Sequence, residues 1–202
     1  MMVSRYIAIL LTLSLAFQKC SCTKGGCYDE SYSFEIFVKA FPNMDSILIN
    51  DTIWFDINEP VTLKDAISNR EINFDNAANL GSAIAFGQLL GNSQEKDAVS
   101  DFNYVLISGA ETNSVNAARF KEYLFKEESG RYIFRFGIIP KNAGIFRMGF
   151  SDAANVYRKN QGCGKAFFKI LFKETNQHLY FNDNNFNITT PLPSNMYCFK
   201  VK

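Results

Sequence analysis

One histidine, one tryptophan and five prolines in 202 residues are the scarcities that bound this chain. With a single histidine, His178, any Ser–His or Cys–His nucleophilic machinery would have to run through that one residue. It stands in Asn176-Gln177-His178-Leu179, a polar strand entry, where a solvated or hydrogen-bonded histidine is the ordinary outcome. The sequence has no Gly-x-Ser-x-Gly elbow, no His-Glu-x-x-His pair and no phosphate-cradling glycine loop, so it implies no cofactor. Neither sign of charge dominates: 21 basic residues face 20 acidic ones, a net charge of +1. There is no basic stripe to attract nucleic acid and no acidic tail. No apolar run approaches the roughly 20 residues that a membrane-spanning helix needs.

What is present at the N-terminus is an export signal. Arg5 precedes an apolar run from Tyr6 to Phe17, interrupted only by Thr12 and Ser14, and Cys20 and Cys22 follow. The cysteine just past the apolar run resembles that of bacterial lipoprotein signals, and the resemblance implies a signal over residues 1–19 with Cys20 lipidated as the new N-terminus. Lys19 stands where such signals usually carry a small or apolar residue. Three other outcomes stay open. Cys22, which follows Ser21, takes the lipid instead; cleavage after Ala16, favoured by Ser14-Leu15-Ala16, frees a secreted protein; or the segment stays uncleaved as an anchor. The expected place is therefore the bacterial cell envelope, outer membrane or periplasm, with the membrane as a partner through the lipid.

Five cysteines fit this compartment. Lipidating one leaves four, enough for two disulfides. Cys163 with Cys198 is the best pair, closing a loop of roughly 36 residues worth about 3–4 kcal/mol. Cys22 with Cys27 would close a smaller one. Unpaired thiols are the alternative. A zinc site from Cys20, Cys22 and Cys27 is disfavoured, because Cys-x-Cys-x4-Cys lacks the usual paired two-residue gaps.

Without the signal roughly 180 residues remain, enough for one domain. Removing Arg5 and Lys19 leaves 19 basic residues against 20 acidic, a net charge near −1. Twenty Phe and nine Tyr suit half-buried pleated surfaces, so the composition leans to β-structure. Alternation marks strands at Ser31–Phe41, Glu71–Phe74, Ser82–Leu90, Phe102–Ser108, Arg131–Ile139 and Ile145–Phe150, with short closing strands at Leu179–Phe181 and Met196–Val201; Lys165–Phe172 alternates like a strand but could equally line a helix, the strand being favoured by its aromatic content. A hairpin is expected across Asn50-Asp51, joining Ile47-Leu48-Ile49 to Thr52–Ile57, with Pro60 ending its second strand. A second is expected across Pro140–Gly144. Asn92–Asp101 reads as a long loop or a subdivision, and Ala110–Ala118 as a loop. Roughly eight or more short strands at regular spacing predict an all-β, immunoglobulin-like antiparallel β-sandwich over residues 31–202, behind a cysteine-rich tether at 20–30.

The chemistry-bearing groups each have a plain structural reading. Trp54, between Ile53 and Phe55, is expected in the core between the sheets, although it and the many tyrosines would also make a stacking platform for sugar or peptide. Asp56 with Glu59, and Glu127 with Glu128, are the nearest carboxylate pairs for glycoside hydrolysis, but adjacent acids in turns are ordinarily solvated. Asn182-Asp183-Asn184-Asn185 offers calcium oxygens with only one carboxylate. Asn50 and Asn187 head Asn-x-Ser/Thr sequons. The expected function is thus non-enzymatic, a binding or structural role toward an envelope protein or glycan. The alternative is a secreted glycan hydrolase with acids on Asn92–Asp101 or Ala110–Ala118.

Several short motifs agree with that reading. Asp45-Ser46-Ile47, Asn50-Asp51-Thr52-Ile53-Trp54-Phe55, Leu63-Lys64-Asp65 and the closing Tyr197-Cys198-Phe199-Lys200-Val201 resemble those of exported β-rich lipoproteins of Bacteroidota bacteria. The stretch from Gly130 to Phe150 resembles the late hairpin of bacterial immunoglobulin-like modules. The first resemblance implies an exported β-rich domain, often lipid-anchored, and brings no activity with it. In such bacteria Asp45-Ser46-Ile47 and Asp51-Thr52-Ile53 also look like O-glycan attachment sites, although Asp-Ser and Asp-Thr are ordinary turn chemistry.

Overall fold

Aromatic and branched residues at every second position build the strands, and the inward member of each pair builds the core. The computed structural model describes residues 31–44, 46–91, 94–159, 164–173 and 194–202. In chain order the strands are β1 (Ser31–Phe41), β2 (Ser46–Ile47), β3 (Ile53–Pro60), β4 (Thr62–Lys64), β5 (Glu71–Asn73), β6 (Ala77–Ala78), β7 (Gly81–Gly91), β8 (Gln94–Asp97) and β9 (Phe102–Ser108). They continue with β10 (Ala110–Thr112), β11 (Phe120–Leu124), β12 (Lys126–Glu128), β13 (Arg131–Pro140), β14 (Gly144–Phe150), β15 (Ala153–Arg158), β16 (Lys165–Phe172) and β17 (Met196–Val201).

The first sheet runs β12-β13-β3-β1-β16-β15-β6, with β9 on the same edge of β13 as β12. The second runs β10-β11-β7-β14-β17-β2, with β8 also on β7. This is the expected all-β sandwich, immunoglobulin-like in setting two largely antiparallel sheets across one core. Two pairs, β1–β16 and β2–β17, are parallel.

The core is aromatic. Phe34, Phe55, Phe134, Phe136 and Phe168 point inward from the first sheet; Phe86, Phe146, Phe150, Tyr197 and Phe199 meet them from the second. Ring centroids meet across the gap at 5.6 Å for Phe55–Tyr197 and 6.3 Å for Phe136–Phe150. Each such buried side chain contributes about 1.5–3 kcal/mol relative to exposure.

Both expected hairpins are replaced by sheet-to-sheet crossings. The turn at Leu48–Asp51 exists: Asn50 takes φ 71, and the Asp51 carboxylate accepts the Leu48 N–H at 2.8 Å. Its two arms do not pair, because β2 joins β17 in the second sheet while β3 joins β1 and β13 in the first. Likewise β13 and β14 flank Pro140–Gly144 but belong to opposite sheets. Alternation fixes which side chains face inward, and that is equally satisfied by a hairpin or by an arch over the core.

The segment expected to be a loop at 92–101 contains β8 and a 3-10 turn at Val99–Asp101, with Ala98 and Val99 in the same core cluster as the rest. Gly109, at φ +107, carries the chain from β9 in the first sheet to β10 in the second. Lys165–Phe172, which periodicity alone leaves between strand and helix, is a strand.

Candidate functional site

The outer face of the first sheet carries the most unusual side chains. On β3, Ile53, Phe55 and Ile57 are buried, so period-two geometry turns Trp54 and Asp56 outward. Trp54 is therefore not the core residue expected from its apolar neighbours. It stands in register with Gly137 on β13 and Phe41 on β1. A Cβ at Gly137 would sit 2.9 Å from both Cε3 and Cζ3 of the indole, so the ring lies down on the strand where only glycine leaves room. The Arg135 guanidinium carbon is 5.4 Å from the indole ring, a cation–π contact. Phe41 is 60% exposed beside it.

The next row across the sheet is Arg135, Asp56 and Lys39, also in register. Alternating charge thus borders the aromatic row. Further along β1 the Glu35 carboxylate meets Lys169 on β16 at 3.4 Å. Phe37 and Phe167 add two further exposed rings to this face. A face of this kind can stack planar apolar surface on Trp54 and Phe41. It can also present guanidinium, ammonium and carboxylate to hydroxyls alongside.

The second sheet carries a groove of about 480 Å³ on its outer side, lined by Gly87, Glu95, Asp97, Arg119, Arg147 and Met196 among others. Arg147 Nε donates to Glu95 at 2.7 Å, and Arg119 Nε lies 3.5 Å from the Asp97 carboxylate. The Glu95 carboxylate covers Gly87, whose missing side chain makes the space. Both carboxylates are engaged by arginines within the groove.

The expected hydrolytic pairs do not converge. Asp56 and Glu59 are three apart on one strand and point to opposite faces, and Glu127 and Glu128 are neighbours that do the same. Glu127 accepts the N–H groups of Asn76 and Ala77 at 2.9 and 3.2 Å, while Glu128 meets Lys126 at 2.8 Å. In the 110–118 segment, Glu111 pairs with Lys121 across β10 and β11. Among the described residues no three His, Cys, Asp or Glu side chains are grouped to hold a metal.

Asp65, singled out only within Leu63-Lys64-Asp65, is the one buried carboxylate among the described residues, at 2% exposure. It accepts the Ser33 N–H at 2.8 Å and the Ser68 N–H at 2.7 Å, and Ala66 N–H donates back to the Ser33 carbonyl. Burial pushes its pKa up, but the hydrogen bonds from Ser33, Ser68 and Ile67 outweigh that and hold it below its ordinary value. The residue ties the 65–70 loop to the start of β1.

Cys198 is buried on β17, in register with Arg147. Burial pushes its thiol well up, Arg147 pulls it back and Glu95 adds to the rise. Its expected partner Cys163 lies outside the described residues. So do Cys20, Cys22, Cys27, His178, Asn182–Asn185, Asn187, Asp45 and the strand expected at Leu179–Phe181. Asn50 is exposed at its turn. The residues that sequence reasoning passed over are Phe41, Lys39, Arg135 and Gly137. The available signal was the lone glycine in Phe136-Gly137-Ile138, which marks a close approach in a strand interior.

No family model matches the chain, and no curated protein does. Among solved structures it is similar to the CupB6 tip adhesin from Pseudomonas aeruginosa, at 15% sequence identity and a TM-score of 0.22. The likeness covers 72% of this chain and 41% of the adhesin, so the chain spans less than half of that protein's length. At that score nothing about function passes from one protein to the other.

Proposed function

We propose that this chain is a non-enzymatic binding domain of the bacterial cell envelope that takes glycan on the outer face of its first sheet. The observation that carries the reading is the Trp54 indole laid over Gly137 beside exposed Phe41. A pyranose ring has a planar apolar side that matches such a row, and its hydroxyls suit Arg135, Asp56 and Lys39 at the border. The leader anatomy of residues 1–19 supports export, and Cys20 supplies the attachment point for lipid. Stable anchoring needs more than one acyl chain, as a multiply acylated N-terminal cysteine provides.

The test is a glycan array probed with the purified protein, alongside Trp54→Ala and Phe41→Ala. The expected result is a defined set of bound glycans, with each variant losing about tenfold or more in affinity while keeping its circular dichroism spectrum. Binding that survives both substitutions would move the site elsewhere on the molecule.

A further inference from the structure

The outer face of the first sheet is more cationic than the molecule that carries it. Its four central strands, β13, β3, β1 and β16, turn five cations outward but only two carboxylates, Glu35 and Asp56. Glu35 is met by Lys169 at 3.4 Å. Asp56 lies in register between Arg135 and Lys39, and its single charge offsets only one of them. Arg131 is held by the side-chain and main-chain oxygens of Asn58, which carry no charge. Lys165 takes an outward position at the start of β16. Among the described residues Arg135, Lys39 and Lys165 enter no ion pair. Lys173, whose N–H donates to the Val38 carbonyl at 2.9 Å, brings one more exposed cation next to Lys39. Before Lys173 is counted the face has three cations in surplus, against +1 for the whole chain.

We infer that the glycan preferred by this face is acidic, a polysaccharide of uronic acid residues. The inference rests on the glycan reading above and names its substrate class. A uronate ring stacked on Trp54 or Phe41 holds its equatorial carboxylate near the plane of the ring, clear of the stacked side. Arg135 and Lys39 form the next row, two residues along the strands and so about 6.6 Å away, within reach of such a substituent. A guanidinium offers a carboxylate two parallel N–H donors, and an ammonium adds a point charge. The surplus charge also draws a repeating polyanion to the face as a whole. Neutral sugars stack on the same rings without that contribution, and so bind more weakly.

The test is binding of hexasaccharides of galacturonate, mannuronate and glucuronate, each beside its methyl ester, which keeps the ring and removes the charge. At least one acid is expected to bind about tenfold more tightly than its ester at low salt, a preference that shrinks as sodium chloride rises. Lys39→Gln is expected to lower the ratio of acid to ester affinity by about threefold or more, and Lys39→Arg to keep it. Acid and ester bound alike, or a preference indifferent to salt and to Lys39→Gln, would overturn the inference and leave the glycan reading standing. No binding of any acid or ester would overturn it too. A neutral hexasaccharide of N-acetylglucosamine, run alongside, then decides whether the glycan reading survives without it.

Discussion

Gly137 and Asp65 are the two residues whose substitution tells most about this molecule. At Gly137 the indole of Trp54 and the Thr52 methyl occupy the space a side chain would need, each 2.9 Å from where a Cβ would stand. Gly137→Val is expected to destabilise the fold by about 1–3 kcal/mol. It should also lift the indole off the strand, read as a red shift in emission. Asp65 makes a different demand. Removing its carboxylate takes the acceptor from the part-buried N–H groups of Ser33 and Ser68, so Asp65→Ala is expected to cost about 1–3 kcal/mol in urea melts at neutral pH. Its folded pKa lies below the ordinary 3.8, so its contribution is complete above that value. The contribution is lost as pH falls through the lower folded pKa. The gap in stability between wild type and Asp65→Ala should therefore close on acidification below about pH 4.

At the scale of elements, the connections rather than the strands distinguish this fold. Pro140–Gly144 passes from one sheet to the other and is fixed on the way. Lys141 N–H donates to the Asp101 carbonyl at 2.9 Å, its ammonium to the Ser100 carbonyl at 2.9 Å, and the Asn142 amide to the Asp101 carboxylate at 3.0 Å. Replacing Lys141-Asn142-Ala143 with Asn-Gly would suit a hairpin. Here it must span sheets about 10 Å apart without those bonds, and a loss of about 2–4 kcal/mol is expected by denaturant melt. This is also where the sequence stopped being legible. Phe134, Phe136 and Ile138 announce their inward face by alternation, and so do Phe146, Met148 and Phe150. The period of two says nothing about the partner strand, so both arches looked like hairpins. The same limit hid the site. The apolar company of Ile53 and Phe55 suggests an inward Trp54, whereas strict alternation from those two buried neighbours turns it outward. Gly137, Phe41 and Arg135 become neighbours of Trp54 only through the registers of β13 and β1, which no local pattern encodes.

At the scale of the whole molecule, one aromatic core holds two sheets whose outer faces differ. The second sheet's groove is occupied by its own ion pairs, while the first sheet leaves an aromatic row open beside alternating charges. That contrast is the basis for assigning binding to the first sheet. Trp54 is the only tryptophan in the chain, so its fluorescence reports on that face alone. The most direct measurement is therefore an emission titration of the purified protein with hexasaccharides of glucose, xylose and N-acetylglucosamine. Phe41→Ala is run in parallel. The account predicts a saturable change in intensity or wavelength with at least one of the sugars, weakened about tenfold in Phe41→Ala. Emission that stays flat to millimolar concentrations of all three, or that changes equally in Phe41→Ala, would contradict it.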